Sequence, residues 1–337
     1  MLLQQLREWE PFRLDALSLI TLLGAEQVDR IVGQLVWNRF AEWLPLLASN
    51  TIASDQITQP IPGFVLYNIT DGIMATDLAG WFARWLLCED LTPCSTTITI
   101  TSDYSPQSLG IYLLPSIVGL LAAIPPIVIA SLIRDAWSLV ATISMALSVI
   151  TRQLSLYQNR RGLDRSMQSS FKSSDQPVKV FLTIPGGIVV TIRTTRGIVV
   201  NSLLTKPCPP HRRFYTATKL IGWLVFGTFV VSLGMASLLC QVMIVCLLLI
   251  STTVAGYQIG AQRYRIGRFI GLARNDSAEQ FRAATYARLK LTPVEEQCMV
   301  DWHLFPQRSN VSWWQKYRQQ CAVDNGFSRW NEILGTT

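Results

Sequence analysis

The sequence predicts an α-helical integral membrane protein with about four transmembrane helices and a small β-meander in a polar loop. Three observations predict it. Half of the 337 residues are apolar and only 15% are charged, against about a quarter in an ordinary soluble domain. Two stretches, Gly110–Ile133 and Leu220–Ala261, carry no charge at all. Between them, short β-branched runs alternate with Pro185-Gly186-Gly187 and Arg196-Gly197, which is strand and turn composition.

Residues 1–109 hold five Lys/Arg against twelve Asp/Glu and read as an acidic, mainly helical N-terminal region. Candidate helices lie near Ala16–Ala48 and Gly72–Cys88. In the second, Met74, Leu78, Trp81 and Trp85 fall on one face at helical spacing, as a core-facing or interfacial helix requires. Met1–Glu8 has no basic region followed by an apolar stretch, so a span is expected to act as the targeting signal.

Residues 110–157 form the first expected transmembrane hairpin. Ile111–Ile133 contains thirteen Leu, Ile and Val, whose insertion energies outweigh its few polar groups. Pro115, Pro125 and Pro126 are expected to kink it, which membrane helices tolerate. Asp135 is a good N-cap for a second helix starting at Ala136. Ala136–Thr151 would rise only about 24 Å, short of a hydrocarbon core of about 30 Å. It becomes long enough if it continues to Tyr157 with Arg152 snorkelling to the interface.

Residues 158–219 read as a basic loop with the meander. Three strands are expected, at Val178–Ile184, Ile188–Arg193 and Ile198–Leu203, preceded by a mobile Ser- and Arg-rich segment, Arg160–Asp175. Residues 152–219 carry twelve Lys/Arg against two Asp/Glu. Residues 220–261 would make a single helix of about 63 Å, so they read as a second hairpin, with spans at Leu220–Leu238 and Gln241–Gly260. Gly222, Gly227 and Gly234 are either small-residue helix contacts or the general glycine enrichment of membrane helices. Residues 262–337 read as a C-terminal helical region. Ser277 with Gln280 and Thr292 with Glu295 have capping-box spacing, and a last helix is expected near Val311–Ala322.

No chemistry-bearing motif emerges. Cys208 and His211 are three apart, but a four-ligand zinc site needs a second pair, so both histidines, His211 and His303, read as surface residues. There is no phosphate-binding loop, nucleophile elbow or His-Glu-x-x-His. No catalytic, cofactor-binding or metal-ligating residue is nominated, and no cofactor is expected. Cys240 and Cys246 read as packing residues. Cys88 and Cys94 are expected to be reduced, and form a disulfide only if their segment is lumenal. Asn68 heads a glycosylation sequon that would be modified only in the lumen. Arg160, Arg161, Arg165 and Lys172, interleaved with serines, are candidate contacts for anionic lipid.

Three passages carry a resemblance. They are Gly72–Cys94, with its Trp-Phe-Ala-Arg-Trp-Leu-Leu-Cys-Glu-Asp-Leu-Thr-Pro-Cys; Arg196–Val200 on to Pro209-Pro210-His211; and Trp302–Trp314, with its Leu-Phe-Pro-Gln-Arg. Together they resemble a family of uncharacterised multi-pass membrane proteins from filamentous fungi. The resemblance spans residues 70–320. It implies a fungal, multi-pass protein and no activity or site residue.

The function expected from these features is that of a non-catalytic accessory, scaffold or regulatory membrane protein. Its expected partners are membrane lipids and a membrane protein. The alternative is a membrane-bound biosynthetic enzyme acting on a lipophilic substrate, as in fungal secondary metabolism. Nucleic acid is not an expected partner, because the spans explain the basic loops. Basic segments flanking Leu220–Ala261 place the C-terminus in the cytosol. Four spans would keep residues 1–109 there too, whereas three would put them in the lumen.

Overall fold

The computed structural model describes residues 25–38, 42–46, 58–102, 110–170, 176–257, 261–276 and 282–323. In chain order these form α1 (Ala25–Gly33), β1 (Val36–Asn38), β2 (Val65–Asn68), β3 (Ile73–Ala75), α2 (Gly80–Cys88), β4 (Thr96–Ser102), α3 (Gly110–Ile133) and α4 (Ala136–Ser170). Then come β5 (Pro177–Ile184), β6 (Ile188–Thr195), α5 (Arg212–Met235), α6 (Leu238–Gly256), β7 (Ala261–Ile266), β8 (Ile270–Asp276), α7 (Arg282–Ala287), α8 (Pro293–Asp301) and α9 (Val311–Val323). By length and composition, α4, α5 and α6 are each able to cross a membrane. In α3 the described apolar stretch, Leu121–Ile133, is shorter. The chain divides into two compact units, residues 1–59, 105–163 and 207–268, and residues 60–104, 164–206 and 269–337.

The first unit is helical. Its core draws on four helices, with Ala123 of α3, Ala141 and Met145 of α4, Phe229 and Leu233 of α5, and Ile244 and Leu248 of α6. The outward side chains are apolar as well: Leu121 and Val128 on α3, Ile143, Leu147 and Ile150 on α4, Leu224 and Val231 on α5. A helix apolar on all sides suits a membrane or a large core. Gly227 and Gly234 have nothing within 4 Å of where a Cβ would sit, so they are not helix contacts. The close approach is at Gly119, where a Cβ would stand 2.7 Å from Trp43 Cβ. The expected loop after Arg160 is helix instead: α4 runs unbroken to Ser170, about 52 Å in all. β1 pairs antiparallel with β7 in this unit.

The second unit contains strands in the order β8-β4-β6-β5-β2-β3. Only β4–β6 is parallel; the other pairings for which a register is defined are antiparallel. The β5–β6 hairpin matches the first two expected strands, and Gly186 and Gly187 take φ of +93° and +80° at its turn, which favours glycine. The expected third strand is absent. Arg196–Ile198 is a helical turn that runs into a π-helical turn, Val199–Leu203. Its end caps α2: Leu203 O accepts the Ala79 N–H at 2.7 Å, and Ser202 O accepts Trp81 Nε1 at 3.2 Å. Tertiary demand thus overrides the β-branched composition.

Three further expectations are corrected. The described part of residues 1–109 is not mainly helical, since it contributes β1 to β4. Gly72–Cys88 is not one helix, because Ile73–Ala75 pairs with β2 and leaves Met74 54% exposed, while Leu78, Trp81 and Trp85 are buried on and before α2. The C-terminal region opens with strands β7 and β8 rather than a helix. The expected last helix is present as α9, and Thr292 with Glu295 forms a complete capping box on α8. The first candidate helix, Ala16–Ala48, is not one helix, since α1 ends at Gly33 and β1 follows; its residues 16–24, 39–41, 47 and 48, and the Ser277–Gln280 box, lie outside the described residues.

Candidate functional site

Arg152 and Arg160 stand two helical turns apart on α4, about 12 Å along the axis. Each is 3% exposed. Neither snorkels. Both side chains turn inward, toward Leu35, Val36, Glu42 and Leu44. A buried guanidinium needs a full set of acceptors, and this segment supplies them.

Arg160 holds the Glu42 carboxylate with Nη2 at 2.5 Å and Nη1 at 3.1 Å. It also donates to Leu35 O at 3.0 Å and to Val36 O at 2.8 Å. Its Cζ lies 3.8 Å from the centre of the Trp37 ring. The sequence reading offered Arg160 as a contact for anionic lipid. The geometry corrects that, because its charge is neutralised by Glu42 and covered by Trp37.

Arg152 makes a second clasp. Its Nη2 donates to Glu42 O at 2.5 Å and Leu44 O at 2.6 Å, and Gln153 Nε2 donates to Glu42 O at 2.5 Å. Residues 42–46 have no regular secondary structure, so their carbonyls need such partners. Arg152 Nε is buried and finds no hydrogen-bond partner among the described residues. Two clefts open beside this side chain. One, with a cavity volume of about 10 Å³, room for about one water, is lined by Val36, Glu42, Leu156 and Arg160. The other, also of about 10 Å³, is lined by Met145, Ser148, Phe226, Phe229 and Leu248. Arg152 and Leu46 border both. Arginine stays charged at any physiological pH, so this arrangement can hold residues 42–44 against α4 but cannot shuttle protons.

A third polar feature ties the helices together. Asp135 Oδ1 accepts the N–H groups of Trp137 at 3.0 Å and Ser138 at 3.3 Å, capping α4. Its Oδ2 accepts Ser138 Oγ at 2.5 Å and the N–H of Ser237, the N-cap of α6, at 2.7 Å. Burial pushes the Asp135 carboxyl up, but the hydrogen bonds from Ser138 and Ser237 outweigh it and hold the group below its ordinary range.

The other sequence candidates are scattered. Arg161 is exposed, with Cζ 5.0 Å from the Tyr157 ring centre, and Arg165 is exposed at the end of α4. Lys172 lies outside the described residues. Asn68 is 2% exposed. Its Nδ2 donates to Asp71 Oδ2 at 2.7 Å, and its Oδ1 accepts the Asp71 N–H. A glycan on Nδ2 would require that turn to open. Cys88 is half-buried at the end of α2 and Cys94 is buried at φ +63°, both as free thiols. His211 is the exposed N-cap of α5, and His303 is exposed at φ +57°. Among the described residues no three His, Cys, Asp or Glu side chains cluster as a metal site would. The chain matches no protein-family model, no curated protein and no solved structure.

Sequence reasoning missed the Glu42–Arg160 pair and the Arg152 clasp. The only available signal was one arginine, Arg152, inside an otherwise usable span, since the acceptors of both arginines lie more than a hundred residues away.

Proposed function

We propose that the chain is a non-catalytic accessory or regulatory membrane protein with four spans, α3 to α6, whose remaining residues face the cytosol and contact anionic lipid and a membrane-protein partner. The Asp135–Ser237 hydrogen bond carries the topology. It puts the α3–α4 turn and the α5–α6 turn at one end of the helical unit. Arg161, Arg212 and Arg213 stand exposed toward the opposite ends of α4 and α5, the distribution expected of a cytosolic face.

Thickness supports the reading. Exposed apolar side chains run from Trp137 to Tyr157 on α4 and from Phe214 to Met235 on α5. These are about 30 and 32 Å of helix, matching a hydrocarbon core of about 30 Å. Trp137 and Tyr157 mark its two interfaces. A cluster of acidic residues facing a membrane pocket would favour an enzyme. Here the acid that lines a cleft, Glu42, is bound by Arg160, and the cleft presents a cation instead.

The test uses the full chain with a C-terminal tag. In sealed microsomes protease should remove the tag, and a sheltered tag would overturn the topology. Purified in mild detergent at low salt, the protein should retain anionic phospholipid. The double change Arg161→Gln with Arg165→Gln should weaken that retention by roughly 30-fold, from about 1 kcal/mol per surface cation. Retention indifferent to both salt and the double change would remove the lipid contact.

A further inference from the structure

We propose that the end of the helical unit carrying Arg161, Arg212 and Arg213 selects lipids whose head group is a phosphomonoester, gripped by the guanidinium forks. The inference rests on α4 and α5 being spans with an anionic-lipid contact at this end. It deepens that reading by naming the head group.

The first observation is that the three arginines share one end of two abutting helices. Gly162 follows Arg161 on α4, and a Cβ there would stand 2.5 Å from Cys208 O. The chain entering α5 therefore lies directly against α4. One turn earlier, Asn159 Nδ2 donates to Tyr215 Oη at 3.4 Å. These contacts fall on either side of residues 211–213, so they hold the start of α5 beside the part of α4 that carries Arg161.

The second observation is depth. The exposed apolar band of α5 begins at Phe214, and Arg213 and Arg212 follow within about 3 Å of helix rise. On α4 the exposed band ends at Tyr157. Arg161 lies about 6 Å further along the axis, but its side chain folds back and places Cζ 5.0 Å from the Tyr157 ring centre. All three charges thus stand at the edge of the apolar band, the level of lipid phosphates rather than of open solvent.

The third observation is charge and chemical type. Arg30, Arg160, Arg196, Arg274 and Arg308 each have an Asp or Glu partner. Arg161, Arg212 and Arg213 are exposed, and among the described residues no carboxylate pairs with them. A topological signal needs only positive charge, which lysine supplies equally well. Arginine adds a planar fork that donates two parallel hydrogen bonds to a phosphate. A lipid phosphodiester offers two unesterified oxygens and one charge. A phosphomonoester offers three such oxygens and a charge of about −1.5 to −2 at neutral pH, so it can engage more than one fork at once.

The experiment uses the full-length protein in a neutral detergent at low salt, with phosphatidate, phosphatidylglycerol and glycerol 3-phosphate as probes. Phosphatidate and phosphatidylglycerol share their tails and differ in the ester, while glycerol 3-phosphate carries the monoester without tails. Phosphatidate should bind roughly tenfold or more tightly than either, the difference that one charge-assisted hydrogen bond makes. The double change Arg212→Lys with Arg213→Lys keeps every charge and removes two forks. It should bring phosphatidate to roughly the affinity of phosphatidylglycerol, with the melting temperature unchanged because both side chains are exposed. Arg134→Lys, an exposed arginine at the α3–α4 turn, should change nothing.

Equal binding of phosphatidate and phosphatidylglycerol by the wild type would overturn the proposal and leave the general anionic-lipid contact standing. Binding of neither lipid would remove that contact as well. A lysine variant that keeps its preference for phosphatidate would refute the role of the forks, and so would an equal loss in Arg134→Lys. Glycerol 3-phosphate binding as tightly as phosphatidate would make the ligand a soluble phosphate and not a lipid, and the proposal fails.

Discussion

Replacing Asp135 tests whether the two helical hairpins are locked at their turns. One carboxylate oxygen caps α4, and the other reaches Ser237 at the start of α6. Asp135→Ala removes both. Loss of an N-cap costs about 1 kcal/mol. Loss of the charge-assisted bond to Ser237 costs about 1.5 kcal/mol, the low end for such bonds because the site is half-exposed. The sum, about 2.5 kcal/mol, corresponds to a fall in melting temperature of roughly 5–10 °C at 2–4 °C per kcal/mol. Asp135→Asn keeps a capping oxygen and loses the charge, so it should fall between the two. The sign with pH follows from the depressed carboxyl. The stabilisation is present above the unfolded value of about 4 and is lost as pH falls through the lower folded value. The gap between wild type and Asp135→Ala should therefore be full at neutral pH and close in acid. Thermal unfolding in mild detergent, followed by tryptophan fluorescence, measures it. A shift under about 1 °C for Asp135→Ala, or a gap that widens in acid, would refute the reasoning.

Gly119→Ala should lower thermal stability, because its new methyl would clash with the Trp43 backbone carbonyl and stand 2.7 Å from Trp43 Cβ; overpacking of this kind costs about 1–3 kcal/mol. Gly227→Leu, in open space, should leave the melting temperature in detergent within about 1 °C of wild type. In the second unit, Glu295 holds Lys179 at 2.8 Å and the Thr292 N–H at 2.7 Å. Glu295→Ala should cost about 3 kcal/mol, since breaking a buried pair strands its partner, and its own melting transition should report this.

What was legible in the sequence was what depends on local composition. The uncharged runs gave the apolar helices, Asp135 gave the start of α4, Thr292-Pro293-Val294-Glu295 gave the start of α8, and Pro185-Gly186-Gly187 gave the β5–β6 turn. What failed depended on distant partners. Ile198–Leu203 has strand composition, but its carbonyls cap α2, which lies more than a hundred residues earlier. Ile73–Ala75 fits a helical stripe until β2 is present to pair with it. Arg160 reads as a surface charge because nothing near it announces Glu42 or Trp37. Whether Gly227 and Gly234 are helix contacts or general glycine enrichment stayed open, because small size is visible in a sequence and the direction a residue faces is not.

The arginines of α4 make sense once residues 42–46 are placed against it. By hydropathy alone α4 matches α5 and is a poorer span than α6, and an apolar residue at 152 would improve it. That residue would leave the carbonyls of Glu42 and Leu44 without the donor they now have. Irregular backbone inside an apolar bundle is tolerated only where its polar groups are satisfied. Hydrophobic burial cannot do this for a carbonyl, and a short side chain on α4 would not reach across the gap. Arginine and glutamine do, with long apolar stems that pack on the helix before their donors meet the strand of chain beyond. On the opposite side Gly119 contributes by having no side chain at all. The weak point in the hydropathy profile is therefore where α4 exchanges insertion energy for a hold on residues 42–46. The same exchange leaves one buried donor, Arg152 Nε, without a hydrogen-bond partner among the described residues.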